Sequence, residues 1–144
     1  MHCVTVVRHR GRLSNYDYAS DGAYFLTICA YRRRRLLVDE VRRAIDRELT
    51  ALPSRFNGLS LDCWKVLPNH LHAIVILKDC GSTVSRIVQA FKSLSTREVK
   101  RIASINRLWQ RGFYDRVIRS ETELTARREY VRNSDRIHAN RRRE

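Results

Sequence analysis

Three stretches of the chain carry apolar residues at the three- and four-residue steps of an amphipathic helix. The first covers residues 38–52 and is followed by Pro53, which we expect to help end the helix. The second follows Ser82 or Thr83, either of which is suited to cap a long helix with a basic outer face. The third covers residues 120–133 and starts with a serine and two nearby glutamates, which is typical of a helix N-terminus.

The remaining apolar runs are short and rich in β-branched or aromatic residues, which is typical of strands. They cover residues 24–30, 59–66, 71–77 and the end of the segment 109–118. Because only a Pro-Asn turn separates the second run from the third, these two should pair as a hairpin. The order of strand, helix, strand, strand, helix, strand and helix predicts an α+β sandwich with a mainly antiparallel sheet.

The polar ends of the chain suggest the limits of its single domain. Residues 1–22 are basic and end in a turn-like Ser-Asp-Gly sequence, so we expect an arm that leads into the domain. One folded domain is predicted at residues 23–135, because the length suits one core rather than two. A basic tail follows at residues 136–144.

The chain carries a large excess of positive charge. Its 29 Lys and Arg residues outnumber 15 Asp and Glu residues, which gives a formal net charge of +14. A field of that sign attracts polyanions, and nucleic acid is the commonest soluble partner of this kind. Arg accounts for 25 of the 29 basic residues. That choice suits phosphate binding but is equally explained by a GC-rich genome, which does not explain the net charge.

Cysteine spacing and hydropathy argue against several classes of protein. The four cysteines form no C-x-x-C pair, so we expect buried reduced thiols rather than a zinc knuckle or a disulfide framework. The sequence has neither the apolar run of a signal peptide nor the roughly 18 consecutive apolar residues of a membrane span. We therefore expect a cytoplasmic protein without a membrane partner.

Two histidines stand two positions apart in the Pro-Asn-His-Leu-His sequence at residues 68–72. On a strand such residues point the same way, so His70 and His72 are able to grip one divalent ion. A bare H-x-H pair is more often two unrelated surface or packed histidines. Ile74 and Val75 stand where a metallo-β-lactamase-like or histidine-triad hydrolase would need Asp or His. An open site completed by oxygen ligands remains, which suits Mg²⁺ or Mn²⁺ acting on a phosphate.

A candidate nucleophile lies on the last predicted helix. Leu124 and Val131 share one face of that helix, whereas Tyr130 sits about 120° round from Leu124. The tyrosine is therefore able to point away from the apolar stripe. An isolated tyrosine at such a position more often packs at the rim of the core.

Five short motifs follow one another along the chain. They are Tyr16-Asp17-Tyr18 with Gly22-Ala23-Tyr24-Phe25-Leu26-Thr27, Leu67-Pro68-Asn69-His70-Leu71-His72, Phe91-Lys92-Ser93, Leu108-Trp109-Gln110-Arg111-Gly112-Phe113-Tyr114-Asp115-Arg116 and Glu129-Tyr130-Val131. Each motif alone is weakly specific. In this order they resemble the REP-associated tyrosine transposases, the single-tyrosine branch of the HUH nucleases, over most of residues 15–135. The resemblance implies a ferredoxin-like or RRM-like sandwich with the catalytic tyrosine on the C-terminal helix.

The resemblance also implies a metal-dependent single-strand DNA endonuclease and strand transferase. His70 and His72 would be the metal-binding pair, with Mg²⁺ or Mn²⁺ as the ion, and Tyr130 would be the nucleophile. Its attack would give a 5′-phosphotyrosine and a free 3′-OH. Because the covalent link keeps the phosphodiester energy, rejoining to another 3′-OH needs no ATP.

The third metal ligand departs from the family pattern. The family usually has an Asn four residues after the nucleophile, whereas this chain has Ser134. A hydroxyl is a weaker ligand for a hard ion than an amide oxygen, so Asn133 or Asp135 is an alternative donor. This departure leaves open a second function, that of a catalytically impaired hairpin DNA-binding protein with the same fold.

The resemblance implies that the partner is single-stranded or hairpin DNA with REP-like palindromes, bound by a monomer or a homodimer. The predicted DNA contacts are Arg32, Arg33, Arg34, Arg35, Lys92, Trp109, Arg111 and Tyr114, with Tyr16 and Tyr18 on the arm. Trp64 and Tyr24 are instead expected in the core, and Trp109 fits either role. An RNA-binding module is a third possibility, but it needs exposed aromatics on the central strands, where this chain has histidines.

Overall fold

Within the described residues, five strands and three helices follow one another along the chain. The computed structural model describes residues 7–8 and 21–143, with side chains from residue 21 to residue 136. The elements are β1 (Val7–Arg8), β2 (Gly22–Cys29), α1 (Asp39–Arg55), β3 (Leu59–Leu67), β4 (His70–Leu77), α2 (Val84–Ile102), β5 (Tyr114–Ile118) and α3 (Glu121–Arg143). Most of the predicted arm at 1–22, including Cys3, Tyr16 and Tyr18, lies outside the described residues, as do the side chains of the tail.

The strands form one sheet in the order β1-β5-β2-β4-β3, and every neighbouring pair is antiparallel. The predicted hairpin is present, because the Pro68-Asn69 turn joins β3 to β4 with Leu67 opposite His70. β2 lies at the centre and pairs with both β4 and β5. The expected α+β sandwich with an antiparallel sheet is therefore confirmed.

α1 and α2 cover one face of the sheet and bury the larger of its two apolar clusters. This larger cluster includes Tyr24, Leu26, Ile28, Leu71, Ala73, Val75 and Leu77 from the strands, Val41, Ile45, Leu49, Val84, Ile87, Val88 and Phe91 from the helices, and Leu108 and Phe113. α2 begins after Thr83, as predicted, and the Oγ1 of Thr83 accepts a hydrogen bond from the backbone N of Arg86 at 3.2 Å. Cys29 and Cys80 are buried and Cys63 is half-buried, and none of these three cysteines forms a disulfide.

Trp64 does not lie in the core, so that expectation is wrong. Its side chain is 37% exposed, and its Nε1 donates to Asp46 Oδ1 on α1 at 3.2 Å. Trp64 stands on β3, which is an edge strand of the sheet. An edge strand has a neighbour on one side only, so α1 covers this indole incompletely. Tyr24, which stands on the central strand, is fully buried as expected.

Of the described helices, only α3 packs on the opposite face of the sheet, where the smaller cluster is made of Phe25, Ile74, Ile118, Leu124 and Val131. Its first turn is held by a buried ion pair in which Arg116 Nε donates to Glu123 Oε2 at 3.0 Å. Ser120 Oγ accepts from the backbone N of Glu123 at 3.1 Å, which is the N-cap that the sequence indicated.

Two helices extend beyond their predicted ends. α1 continues through Pro53 to Arg55, so the proline lies in the last turn of the helix. Its missing N–H removes one helical hydrogen bond, which the helix tolerates. α3 continues to Arg143 because no Gly or Pro interrupts residues 121–143, although the apolar stripe used to predict its end stops earlier. None of the helices in the described ranges has an apolar stretch of the length that a membrane crossing requires.

Candidate metal and nucleophile site

His70 and His72 project from the start of β4 toward the α3 side of the sheet. Their ring centroids are 4.8 Å apart, and both side chains are buried, with 3% and 4% exposure. Leu71 between them points into the larger cluster on the other face. This arrangement follows from the alternation of a strand, which directs residues two apart to the same side. The two rings are therefore close enough to share one ion.

Each imidazole is oriented through its Nδ1 atom. The Nδ1 of His70 lies 2.7 Å from Asn69 Oδ1, and the Nδ1 of His72 lies 3.0 Å from Thr27 Oγ1. An amide oxygen only accepts hydrogen bonds, so the Nδ1 of His70 must donate, and its lone pair is then on Nε2. Such fixation of the tautomer by a neighbouring oxygen is usual for histidines that ligate metals through Nε2.

Tyr130 lies against this pair from the side of α3. Its ring centroid is 5.3 Å from that of His72, and its edge meets the ring of Phe25 at 5.9 Å. Phe25 in turn stacks on His72 at 5.3 Å. The guanidinium of Arg127 lies over the rings of both Tyr130 and Phe25, at 5.8 Å and 5.0 Å. The half-buried tyrosine thus faces the histidines beneath a positive charge.

Two polar clasps join α3 to β3 on either side of Tyr130. Arg128 donates through Nε and Nη2 to the two oxygens of Asp62, each at 2.8 Å. This guanidinium holds the pKa of Asp62 below its usual value of 3.8. Lys65 donates to the backbone O of Arg132 at 2.9 Å and forms an ion pair with Asp135 at 3.2 Å. The clasps bracket the turn of α3 that carries the tyrosine.

Asp62, Lys65 and Arg128 were not identified from the sequence, and Asp135 was considered only as a metal ligand, although one signal for Lys65 was available. Lys65 stands directly across the β3–β4 hairpin from His72. The two-residue turn at Pro68-Asn69 fixes that register, so the chain itself indicates that Lys65 and His72 share a face. Thr27 was likewise missed as a partner of His72. Its role depends on pairing between strands that are distant in the sequence.

The predicted third ligands have different environments. Ser134 is fully buried, and its Oγ donates to the backbone O of Val131 at 2.7 Å within α3. Asn133 is half-buried, whereas Asp135 is exposed and forms an ion pair with Lys65. Among residues 21–136 there is no group of three or more His, Cys, Asp or Glu side chains arranged to hold a metal ion. In this range the structure therefore brings together the two imidazoles without a third side chain of those types.

The predicted DNA contacts fall into separate regions. Arg32, Arg33, Arg34 and Arg35 are exposed in and after a short 3-10 turn that follows β2. Lys92, Trp109 and Arg111 line one cavity beside α2. Tyr114 is half-buried at the start of β5, where it pairs with Thr27. Only Tyr114 therefore shares the sheet face of the histidines.

Comparison with known proteins gives a consistent family. The family model described as IS200-like transposase matches residues 18–134. An uncharacterised protein of Haemophilus influenzae is 25% identical to the chain, over 89% of each sequence.

Two solved structures share the fold. A structure of the REP-associated tyrosine transposase bound to a REP hairpin has a TM-score of 0.71 and 22% identity, covering 88% of this chain and 74% of the other. A structure from Deinococcus radiodurans R1, assigned provisionally as a transposase, has a TM-score of 0.61 and 22% identity, covering 85% of this chain and 95% of the other. Because the family model spans most of its length, the chain belongs to the family of IS200-like transposases.

Proposed function

We propose that the chain is a metal-dependent single-strand DNA endonuclease and strand transferase of the REP-associated type, with Tyr130 as the nucleophile. The observation that carries this proposal is the approach of Tyr130 to within 5.3 Å of the His72 ring, measured between centroids. A half-buried tyrosine beside two oriented imidazoles combines a nucleophile with a potential metal site. The +14 charge of the chain supports DNA as the substrate.

The histidine pair fits a divalent ion. Both rings are buried with Nδ1 beside an oxygen, so the Nε2 atoms of His70 and His72 are the donors that would hold Mg²⁺ or Mn²⁺. When bound, such an ion polarises a phosphate oxygen and stabilises the charge that develops on it. One or more oxygen ligands would complete the coordination, from Asn133, Ser134, the DNA or water.

The remaining chemistry belongs to the side chains themselves. The Tyr130 oxygen attacks phosphorus and loses its proton, while the bond from phosphorus to the 3′-oxygen breaks and that oxygen takes up a proton. The products are a 5′-phosphotyrosine and a free 3′-OH. A second 3′-OH reverses the step and joins a new strand. Arg127, whose guanidinium lies over the Tyr130 ring, would attract the scissile phosphate toward the tyrosine by its positive charge.

Hairpin DNA with single-stranded flanks is the proposed substrate. The solved structure with the same fold is described as bound to a REP hairpin. In this chain Arg32, Arg33, Arg34 and Arg35 form an exposed basic run at the end of β2, the end of the sheet at which His70 lies. Guanidiniums there would hold phosphates of the bound strand at that end of the sheet.

The direct test is covalent capture of DNA on a denaturing gel. Hairpins taken from either side of the encoding gene, incubated with Mn²⁺, should give an adduct with the wild-type protein. Tyr130→Phe should give none while still binding the hairpin. Tyr24→Phe removes a buried hydroxyl on the opposite sheet face and should retain the adduct if it folds. An adduct that survives Tyr130→Phe would refute the proposal.

A catalytically impaired hairpin-binding protein is the second candidate. The observation that favours it is Ser134, whose hydroxyl is buried and bonded to its own helix. That serine would be a poor substitute for an amide ligand. Cleavage of a native hairpin in the presence of Mg²⁺ or Mn²⁺ would exclude this alternative.

A further inference from the structure

A cavity of about 690 Å³ opens between α2 and the segment 103–113 that leads into β5. It lies on the α1–α2 side of the sheet, because Val88 and Leu108 belong both to its lining and to the larger apolar cluster. A second cavity of about 350 Å³ adjoins it and shares Tyr31 and Arg107. The histidine pair faces the opposite side of the sheet. The molecule therefore has a two-lobed depression that is separate from the candidate metal site.

The depression is positively charged. Arg107 and Arg111 line the larger lobe together with Lys92, and Arg34 lines the smaller lobe. None of the described residues that line either lobe is acidic. The two arginines of the larger lobe are exposed, so their guanidiniums are available to an anion. Arginine binds phosphate oxygens with two parallel hydrogen bonds, which makes a phosphate the best-matched anion.

Aromatic rings accompany this charge. The ring of Tyr31, which lines both lobes, has the guanidiniums of Arg32 and Arg107 at 5.1 Å and 5.5 Å from its centroid. Trp109 packs against Phe91, with their ring centroids 5.5 Å apart. Flat side chains beside guanidiniums are the usual means of binding a nucleic-acid base and its phosphate without reading sequence.

Hydrogen bonds connect the segments that line the depression in the unliganded chain. The backbone N of Tyr31 donates to Leu108 O at 2.9 Å, and the backbone N of Gln110 donates to Cys29 O at 2.9 Å. Lys92 Nζ donates to the backbone O of Gln110 at 2.8 Å. Its ammonium thus holds the wall, while burial lowers the pKa of Lys92 to about 8.

The turn that carries Tyr31 is strained. Arg32 and Arg33 have φ of 52° and 53°, a left-handed conformation that is unfavourable for residues with a side chain. Such strain persists only where the surrounding structure imposes it, and it is frequent at ligand-binding loops. Here the strained turn holds Tyr31 in the lining of both lobes and leads into Arg34, which lines the smaller lobe.

This turn also connects the depression to the candidate metal site. Cys29, the last residue of β2, pairs with His70. We propose that the depression binds an unpaired nucleotide of the single-stranded DNA next to the hairpin, with its base on Tyr31 and its phosphate on Arg107 and Arg111. The inference rests on the proposed function, and it extends the DNA path to the opposite face of the sheet.

The test measures binding by the full chain in the Tyr130→Phe background, which separates binding from cleavage. The probe is fluorescein-labelled oligothymidylate of about 12 nucleotides, within the usual range of single-strand site sizes. Arg107→Ala and Tyr31→Leu should each raise the Kd about tenfold, as expected for loss of one phosphate or stacking contact. Arg107→Ala should also lower the slope of log K against log salt by about one.

Arg101→Ala is the matched control, because Arg101 is an exposed arginine near the end of α2 that does not line the depression. We expect its Kd to stay within about twofold of the background protein, since one distant phosphate contact contributes little. Equal weakening by Arg101→Ala and Arg107→Ala would overturn the inference, because it would mean diffuse attraction to the whole surface. Tighter binding of oligouridylate RNA than of oligothymidylate would also overturn it.

Photocrosslinking gives a readout that does not depend on charge. Oligonucleotides that carry 5-iododeoxyuridine should crosslink to Tyr31 or Trp109, as mapped by mass spectrometry of the full chain. Crosslinks confined to other residues would contradict the inference. If the wild type forms the adduct at Tyr130 but Arg107→Ala and Tyr31→Leu do not weaken binding, the nucleotide site in the depression is rejected and the nuclease function is kept. If these two variants weaken binding but the wild type forms no adduct, the nuclease function is rejected and the depression is kept as a binding site for single-stranded DNA.

Discussion

Arg128 on α3 and Asp62 on β3 form a bidentate ion pair, with two N–O distances of 2.8 Å, two residues away from Tyr130. This pair positions the helix that carries the proposed nucleophile. Arg128→Gln should lower the single-turnover rate of adduct formation by about tenfold to a hundredfold, because small misplacements of a reacting group are costly. Rates are read from denaturing gels, with hairpin affinity measured in parallel.

The matched control for this prediction is Arg55→Gln, which removes an ion pair with Glu48 on α1 at 3.3 Å. Its rate should equal that of the wild type. The charge-swapped double variant Asp62→Arg with Arg128→Asp should recover part of the rate. If hairpin affinity falls as much as the rate in Arg128→Gln, the arginine contacts DNA rather than positioning the tyrosine.

The same ion pair should make the free energy of unfolding depend on pH in the acidic range. Arg128 lowers the pKa of Asp62 below 3.8, so the folded state favours the carboxylate more than the unfolded state does. The resulting stabilisation is fully present above the unfolded pKa and is lost as the pH falls through the folded value. Denaturant unfolding of the wild type and Asp62→Asn should therefore differ at pH 7 and converge in strong acid. A constant difference would contradict this.

Metal binding should depend on Thr27. Its Oγ1 lies 3.0 Å from His72 Nδ1, and loss of such an orienting contact typically weakens metal binding by about tenfold to a hundredfold. Thr27→Val keeps the side-chain shape and should lower the Mn²⁺ affinity measured by calorimetry. Thr50→Val, on the exposed face of α1, should leave that affinity unchanged. Equal Mn²⁺ affinities in the two variants would show that Thr27 does not contribute to metal binding.

Catalysis should occur within one chain. Tyr130 approaches the His72 of its own chain, so a monomer already contains both reacting groups. A mixture of His72→Ala and Tyr130→Phe proteins should therefore give no DNA adduct on a denaturing gel. Adduct formation in the mixture would demonstrate that one chain supplies the tyrosine and another the metal pair, as a homodimer acting in trans requires.

Gly58 should be intolerant of a side chain. It has a φ of 84°, and a Cβ at this position would lie 2.3 Å from the backbone O of Lys78. We expect Gly58→Ala to lower the free energy of unfolding by about 1–3 kcal/mol in denaturant titrations. Gly81→Ala is the control, since no atom lies within 4 Å of its added Cβ and its backbone is unstrained. Similar losses in both variants would contradict the geometry.

Local pattern was sufficient to predict four of the five described strands and the common face of His70 and His72, whereas β1 lies within the segment predicted as an arm. A two-residue turn fixes the register of β3 and β4, and strand alternation then puts His70 and His72 on one face. The clasp between Asp62 and Arg128 joins residues 66 positions apart, and no local pattern specifies how α3 lies across the sheet. The prediction that Trp64 lies in the core was wrong for a related reason, because the order of the strands, which decides which strand lies at the edge, is not a local property.

The two faces of the sheet bury very different amounts of apolar surface. The cluster beneath α3 has five buried apolar residues, of which Leu124 and Val131 belong to α3 itself, and α1 and α2 cover the larger cluster. Units with few apolar contacts open at lower free energy than the whole fold. Backbone amides of α3 should accordingly exchange their hydrogens sooner than those of β2 and β4. Such partial opening would carry the tyrosine away from the histidines while leaving the imidazoles in place. Access of a new 3′-end to the proposed phosphotyrosine would then be set by the movement of one helix.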